Sequence, residues 1–200
     1  MEYSDYKKSR DLSWQILIEN YITEMPVKVS HICKRLGIPI ICYEKAEQII
    51  KTAGLEKICS QNDGITFMRA IFYNGACSVG RQRFTIAHEL GHILMHGENG
   101  CNRPIPSHDA RIEQEANVFA ARILAPACVL WGIGVTNEKQ ICQKCDISLA
   151  AARFRMQRLQ VLYEREKRFL KERGKSCFLL SALEKKVYDQ FYDYIEANRL

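Results

Sequence analysis

The chemistry-bearing residues of this chain concentrate in His88-Glu89-Leu90-Gly91-His92, an H-E-x-x-H pattern within residues 84–96. On a helix, positions i and i+4 lie on one face about one turn apart. His88 and His92 can therefore turn two imidazoles toward a single ion. Glu89, beside the first of them, is placed to take a proton from a water activated there. Two histidines with an adjacent glutamate on a helix are the donor set and base of zinc-assisted hydrolysis.

Such a site needs a frame. Phe84, Ala87, Leu90, Gly91, Ile93 and Leu94 wrap the polar residues in apolar surface, which predicts a buried helix. Polar side chains on a buried helix require hydrogen-bond partners or a metal. Gly91 weakens a helix by roughly 1 kcal/mol relative to alanine, so its presence in mid-helix predicts close approach by another element.

A catalytic zinc usually takes three protein ligands and keeps one position open. The extended pattern H-E-x-x-H-x-x-G-x-x-H would need glycine at 95 and histidine at 98, where this chain has Met95 and Glu98. His96 follows His92 by one more turn, and three successive turns cannot converge on one ion when each advances ~5.4 Å along the axis. His96 is therefore read as a supporting or structural residue. The better third ligand lies on the next predicted helix, whose buried face is Ile112, Ala116, Phe119, Ala120 and Ile123. Glu113 and Asn117 flank that face four residues apart. Glu113 can supply a carboxylate, and Asn117 can hydrogen-bond the far nitrogen of a ligand histidine. Glu115 lies about 200° around the helix from Glu113 and is the less favoured choice, pointing elsewhere and toward an arginine.

Arg83-Phe-Thr-Ile-Ala-His-Glu-Leu-Gly-His92, followed by Glu113-x-Glu-Ala-Asn-x-Phe-Ala-Ala121 and Pro126, resembles the ImmA/IrrE-type zinc metallopeptidases. The N-terminal helices and Leu36-Gly-Ile-Pro-Ile40 are also similar. The resemblance spans roughly the first two-thirds of the chain and is specific in the middle third. It implies His88, His92 and Glu113 on Zn2+ and Glu89 as base. It further implies a cytoplasmic protease, often carried on mobile elements, that cleaves a helix-turn-helix repressor and so derepresses that element's genes. Ala125 stands where relatives carry methionine before the proline, outside the expected ligand shell.

The elements around this centre give an α+β expectation: a mainly helical, zincin-like core with a small antiparallel sheet and a helical C-terminal extension. Helices are predicted from the apolar spacing of Trp14, Leu17, Ile18 and Tyr21, of Val29, Ile32, Cys33 and Leu36, and of Ala46, Ile49, Ile50 and Ala53. His31 falls off its stripe and reads as exposed. Residues 38–43 and 65–73 read as strands, with Lys57–Cys59 as another candidate. An exposed edge strand there could pair with an extended substrate. Residues 97–111 carry two glycines and two prolines and read as a loop bordering the site. Tyr73, His96 and His108 are candidates for stabilising an oxyanion.

The division expected is a metallopeptidase core over 1–126 and a helical region over 127–200 packed on it. Glu138–Cys145 and Leu149–Leu162, joined by Asp146-Ile-Ser148, resemble a helix-turn-helix. Arg153, Arg155 and Arg158 would decorate its second helix, and Ser181-Ala-Leu-Glu184 is a capping box. Five of the six net positive charges fall in 127–200. DNA contact by this pair is the lesser alternative to packing or substrate recruitment, and it frames the rival function: a DNA-binding or repressor-sequestering regulator with a structural or sensory metal.

The 47% apolar and 26% charged composition fits a soluble globular chain. Nine cysteines at irregular spacing, with no secretory leader, predict free thiols, Cys142-Gln-Lys-Cys145 included. No run approaches the ~18 apolar residues of a membrane span. A cytoplasmic location and no membrane partner are expected.

Overall fold

The computed structural model describes residues 6–97, 109–173 and 180–200. Glu98, Cys101, His108 and Cys177, with most of the predicted 97–111 loop, lie outside them. The chain folds into two compact units, Met1–Ser13 with Lys28–Ala121 and Trp14–Val27 with Arg122–Leu200.

The first unit takes the opening half of α1 (Lys7–Glu19), then α2 (Val29–Arg35), β1 (Ile40–Cys42), a 3-10 turn over Tyr43–Lys45, α3 (Glu47–Thr52), α4 (Glu56–Gln61), β2 (Gly64–Phe67), β3 (Ala70–Tyr73) and α5 (Val79–His96), and most of α6 (Ala110–Leu124). Stripe residues Val29, Ile32 and Cys33 of α2 are buried, and His31 is exposed. The sheet is three-stranded in the order β1-β3-β2. It is mixed rather than wholly antiparallel. β2 and β3 form an antiparallel hairpin with Thr66 opposite Ile71, whereas β1 runs parallel to β3 with Ile41 opposite Phe72. Parallel pairing needs a long crossover, supplied here by α3, α4 and β2.

Residues 57–59, predicted as a strand, belong to α4. Leu55, Ile58 and Cys59 fall at i, i+3 and i+4, and helical spacing turns all three toward one apolar cluster with Ala46, Ile50, Ile65 and Phe72. The hairpin turn is made by Met68 and Arg69, both at positive φ (47° and 59°).

The second unit contains α7 (Ala127–Gly132), α8 (Glu138–Cys145), α9 (Leu149–Arg173), α10 (Ala182–Gln190) and α11 (Tyr192–Asn198). Two capping boxes, Asn137 with Gln140 and Ser181 with Glu184, start α8 and α10. Ser148 Oγ accepts from the Ala151 N–H at 3.2 Å to start α9. The turn between α8 and α9 is made by Asp146 in the left-handed region (φ 52°). Val187, Phe191 and Ile195 are fully buried, and Phe191 stands between α10 and α11. From the far end of the sequence, the Gln190 amide donates to the carbonyls of Leu17 (2.9 Å) and Ile22 (2.7 Å).

Of the three arginines expected to decorate α9, only Arg153 is exposed. Arg158 is half-buried, and Arg155 is buried with its Nε donating to the Ala125 carbonyl. Burial, and then the charge of Arg122, pull the Arg155 guanidinium down to about 9. The seven cysteines among the described residues are free thiols. Among those residues no helix is long and apolar enough to cross a membrane.

Candidate metal centre

Helix α5 is fixed at its start by local polar contacts. The Gln82 amide donates to the carbonyls of Gly75 (2.9 Å) and Cys77 (2.7 Å), and Arg81 Nε meets Asp63 Oδ2 at 2.6 Å. The helix ends at Gly97, whose φ is 57°. Helix α6 is started by Asp109, which accepts from the Arg111 N–H at 2.8 Å. The two helices press together at Gly91, where a Cβ would stand 3.0 Å from Phe119 Cδ1 and 3.4 Å from Ala116 Cα. The close approach predicted from the mid-helix glycine is thus made by α6, and it brings Glu113 and Asn117 up to the two histidines.

His88 Nε2 and His92 Nε2 stand 3.0 Å apart. Glu113 Oε2 lies 3.3 Å from His88 Nε2, and its Oε1 lies 3.4 Å from His92 Nε2. Four ligands held tetrahedrally at about 2.0–2.1 Å are separated by roughly 3.3–3.4 Å. The two edges to Glu113 match that separation, the edge between the two imidazole nitrogens is shorter at 3.0 Å, and the three residues form a group that could hold a metal ion. With both imidazoles neutral, two nitrogen lone pairs and a carboxylate face one point and repel one another, which a proton held between His88 and Glu113, or a metal cation, relieves. The donor set therefore fits a metal.

Asn117 settles which nitrogen of His88 faces that point. Its Oδ1 lies 3.0 Å from His88 Nδ1. A side-chain carbonyl only accepts, so Nδ1 carries a proton, and in the neutral ring Nε2 presents its lone pair. Burial, reinforced by the charge of His88, pulls His92 down to about 4, so it is neutral at neutral pH, the form that ligates. Burial also works against a charge on His88, but its hydrogen bond with Glu113 and the charges of Glu89 and Glu113 outweigh this and leave it raised. Glu113 is lowered, chiefly by its hydrogen bond with His88.

Glu89 is 8% exposed, and burial raises its carboxyl above the usual range against the opposing effects of His88 and of a hydrogen bond from Thr66. That bond, Thr66 Oγ1 to Glu89 Oε2 at 2.8 Å, had no local signal in the sequence. The alternation of Gly64 and Thr66 with Ile65 and Phe67 was the one available hint that residue 66 faces away from the apolar cluster.

Glu115 is engaged elsewhere, 3.3 Å from Arg111 Nε and 3.7 Å from His96 Nε2. His96 accordingly sits with Glu115 and not in the donor triangle, and burial lowers its imidazole. Tyr73 closes β3, opposite Gly64.

The sequence profile of a peptidase family described as the IrrE N-terminal-like domain matches residues 33–165, which contain every member of the cluster. No curated protein matches the chain.

Proposed function

The chain belongs to the IrrE N-terminal-like family of peptidases, and from that premise we propose that it is a zinc-dependent endopeptidase acting on a helix-turn-helix transcriptional repressor. The observation that carries this reading is the convergence of His88, His92 and Glu113 beside a buried, hydrogen-bonded Glu89. Two histidines and a glutamate are a donor set of catalytic zinc. The resemblance to repressor-cleaving metallopeptidases supports the substrate, and cleavage would relieve repression of mobile-element or stress-response genes.

His88, His92 and Glu113 would hold the ion, with Asn117 keeping the His88 ring in the ligating tautomer. When bound, zinc supplies Lewis-acid polarisation of the scissile carbonyl and makes water more acidic. Glu89 takes a proton from the attacking water as the new C–O bond forms. It then delivers that proton to the leaving nitrogen as the C–N bond breaks, giving a carboxylic acid and an amine, which at neutral pH become a carboxylate and an ammonium. The raised carboxyl of Glu89 suits a group that must both accept and return a proton. Strand β2 suits an extended substrate, because it is a sheet edge. In an antiparallel hairpin hydrogen-bonded and non-bonded pairs alternate. With Phe67 and Ala70 flanking a two-residue turn, Gly64 and Thr66 direct their N–H and C=O groups to the unpaired side.

The test is to incubate metal-analysed protein with the repressor encoded beside its gene, with and without chelator. Fragments should appear only in the metal-replete reaction. Glu89→Gln should retain the metal while cleavage falls by about 10²–10⁴-fold, the scale of a general base. Loss of the repressor's DNA binding while it stays full length would point instead to sequestration, and normal cleavage by Glu89→Gln would overturn the mechanism.

A further inference from the structure

Strand β2 meets the Glu89 side chain twice. Thr66 Oγ–H donates to Oε2 at 2.8 Å, and both residues are almost sealed from solvent, at 6% and 8% exposure. Two residues earlier, a Cβ on Gly64 would stand 3.3 Å from Glu89 Cγ and 2.2 Å from Thr85 Cγ2. Residues 64 and 66 share one face of the strand. The opposite face carries Ile65 and Phe67 into the apolar cluster with Ile50 and Phe72. The threonine hydroxyl is therefore not required by the packing of the sheet. It sits on the helix-facing side, and the group it contacts there is the carboxylate.

A glutamate's last torsion is broad and roughly two-fold, so a carboxylate without a fixed partner has no defined orientation. A buried one also needs a donor. Thr66 supplies both constraints. We infer that Thr66 is the positioning residue for Glu89: its hydroxyl holds Oε2, leaves Oε1 as the oxygen that exchanges the proton, and relies on Gly64 for the space in which the side chain lies. This rests on Glu89 being the base proposed above. It makes one strand responsible for two tasks, since the backbone of Gly64 and Thr66 forms the sheet edge while their inner face sets the base.

The experiment uses the full chain loaded with zinc and carrying Thr66→Val, which keeps the shape, or Thr66→Ser, which keeps the hydroxyl. Metal content is measured by atomic emission, and folding by thermal melt. Steady-state cleavage of the repressor and a crystal structure of each variant complete the set. In Thr66→Val, kcat should fall about 10–100-fold, the usual effect of removing an outer-shell partner. KM should stay within about two-fold, as for a contact that matters only to the chemical step. Zinc content should be unchanged, and the Glu89 carboxylate should be rotated away from β2. Thr66→Ser should keep kcat within about three-fold and keep the 2.8 Å contact.

Wild-type kcat in Thr66→Val, an equal loss in both variants, or an unmoved carboxylate would overturn the inference. If the wild-type protein cleaves nothing, the proposed activity fails by itself, and the orientation of Glu89 in the Thr66→Val crystal still decides whether Thr66 positions it.

Discussion

Replacing Gly91 by alanine sets two opposing effects against each other at the contact that assembles the site. Alanine favours the helix by about 1 kcal/mol. Against this, its Cβ would stand 3.0 Å from Phe119 Cδ1 and 3.4 Å from Ala116 Cα, where ordinary carbon contacts lie at about 3.5–4.0 Å. Phe119 and Ala116 are fully buried, so the Phe119 ring and the part of α6 that carries it must give by a few tenths of an ångström. Overpacking of this kind typically costs about 1–3 kcal/mol. The net change in the metal-free protein should be a loss of about 1 kcal/mol.

Glu113 and Asn117 travel with α6. The same shift would stretch the 3.3 and 3.4 Å edges of the donor triangle beyond the about ±0.2 Å that a metal site tolerates. A tenfold weaker affinity removes about 1.4 kcal/mol of metal-linked stabilisation. The loss in zinc-saturated protein should therefore reach about 2–2.5 kcal/mol. Urea unfolding with and without zinc, together with competition against a chromophoric chelator, measures both terms. Equal losses in the two forms would refute the coupling between the helix contact and the donor triangle. A variant more stable than wild type would refute the tight contact itself.

Other perturbations separate neighbouring roles. Asn117→Ala removes the partner of His88 Nδ1 and should weaken zinc binding about 10–100-fold, read by the same competition. Installing Asn at 68 and Gly at 69 suits a turn with two positive φ values and should raise stability by about 1 kcal/mol in urea unfolding. Arg155→Ala strips the Ala125 carbonyl of its donor and opens a cavity, costing about 2 kcal/mol or more, whereas exposed Arg153→Ala should stay within about 0.5 kcal/mol. Thermal melts compare the last pair.

The grouping of His88, His92, Glu113 and Asn117 was legible in the sequence because helical spacing is a local property. Two i, i+4 pairs and one glycine foretold which faces would meet. Choosing Glu113 over Glu115 needed only the 100° step of a helix, and the structure puts Glu115 against Arg111. Non-local pairings were not legible. The parallel register of β1 on β3 depends on how a crossover closes, and three apolar residues at 57–59 suit a strand until Leu55 is counted as part of a helical face. The Thr66 bond to Glu89 spans a strand-to-helix contact that no periodicity encodes. Arg155 looked like a surface charge because its neighbours on α9 are polar, and its burial is decided by the elements packed around it.

The Gln190 amide that reaches back to Leu17 and Ile22 closes a loop of 173 residues to the farther partner, which has a consequence in time. A chain is synthesised at about 5–20 residues per second, so residue 190 follows residue 17 by roughly 10–30 s. Through that interval the Ile22 carbonyl lacks the Gln190 donor, and the Leu17 carbonyl has only the N–H of Ile22. Trp14, Leu17 and Val27 are fully buried in the finished unit, which α10 and α11 complete. The Gln190 contacts of this stretch are completed only after residue 190 has been made. A message truncated before residue 190 would leave the Ile22 carbonyl without this donor.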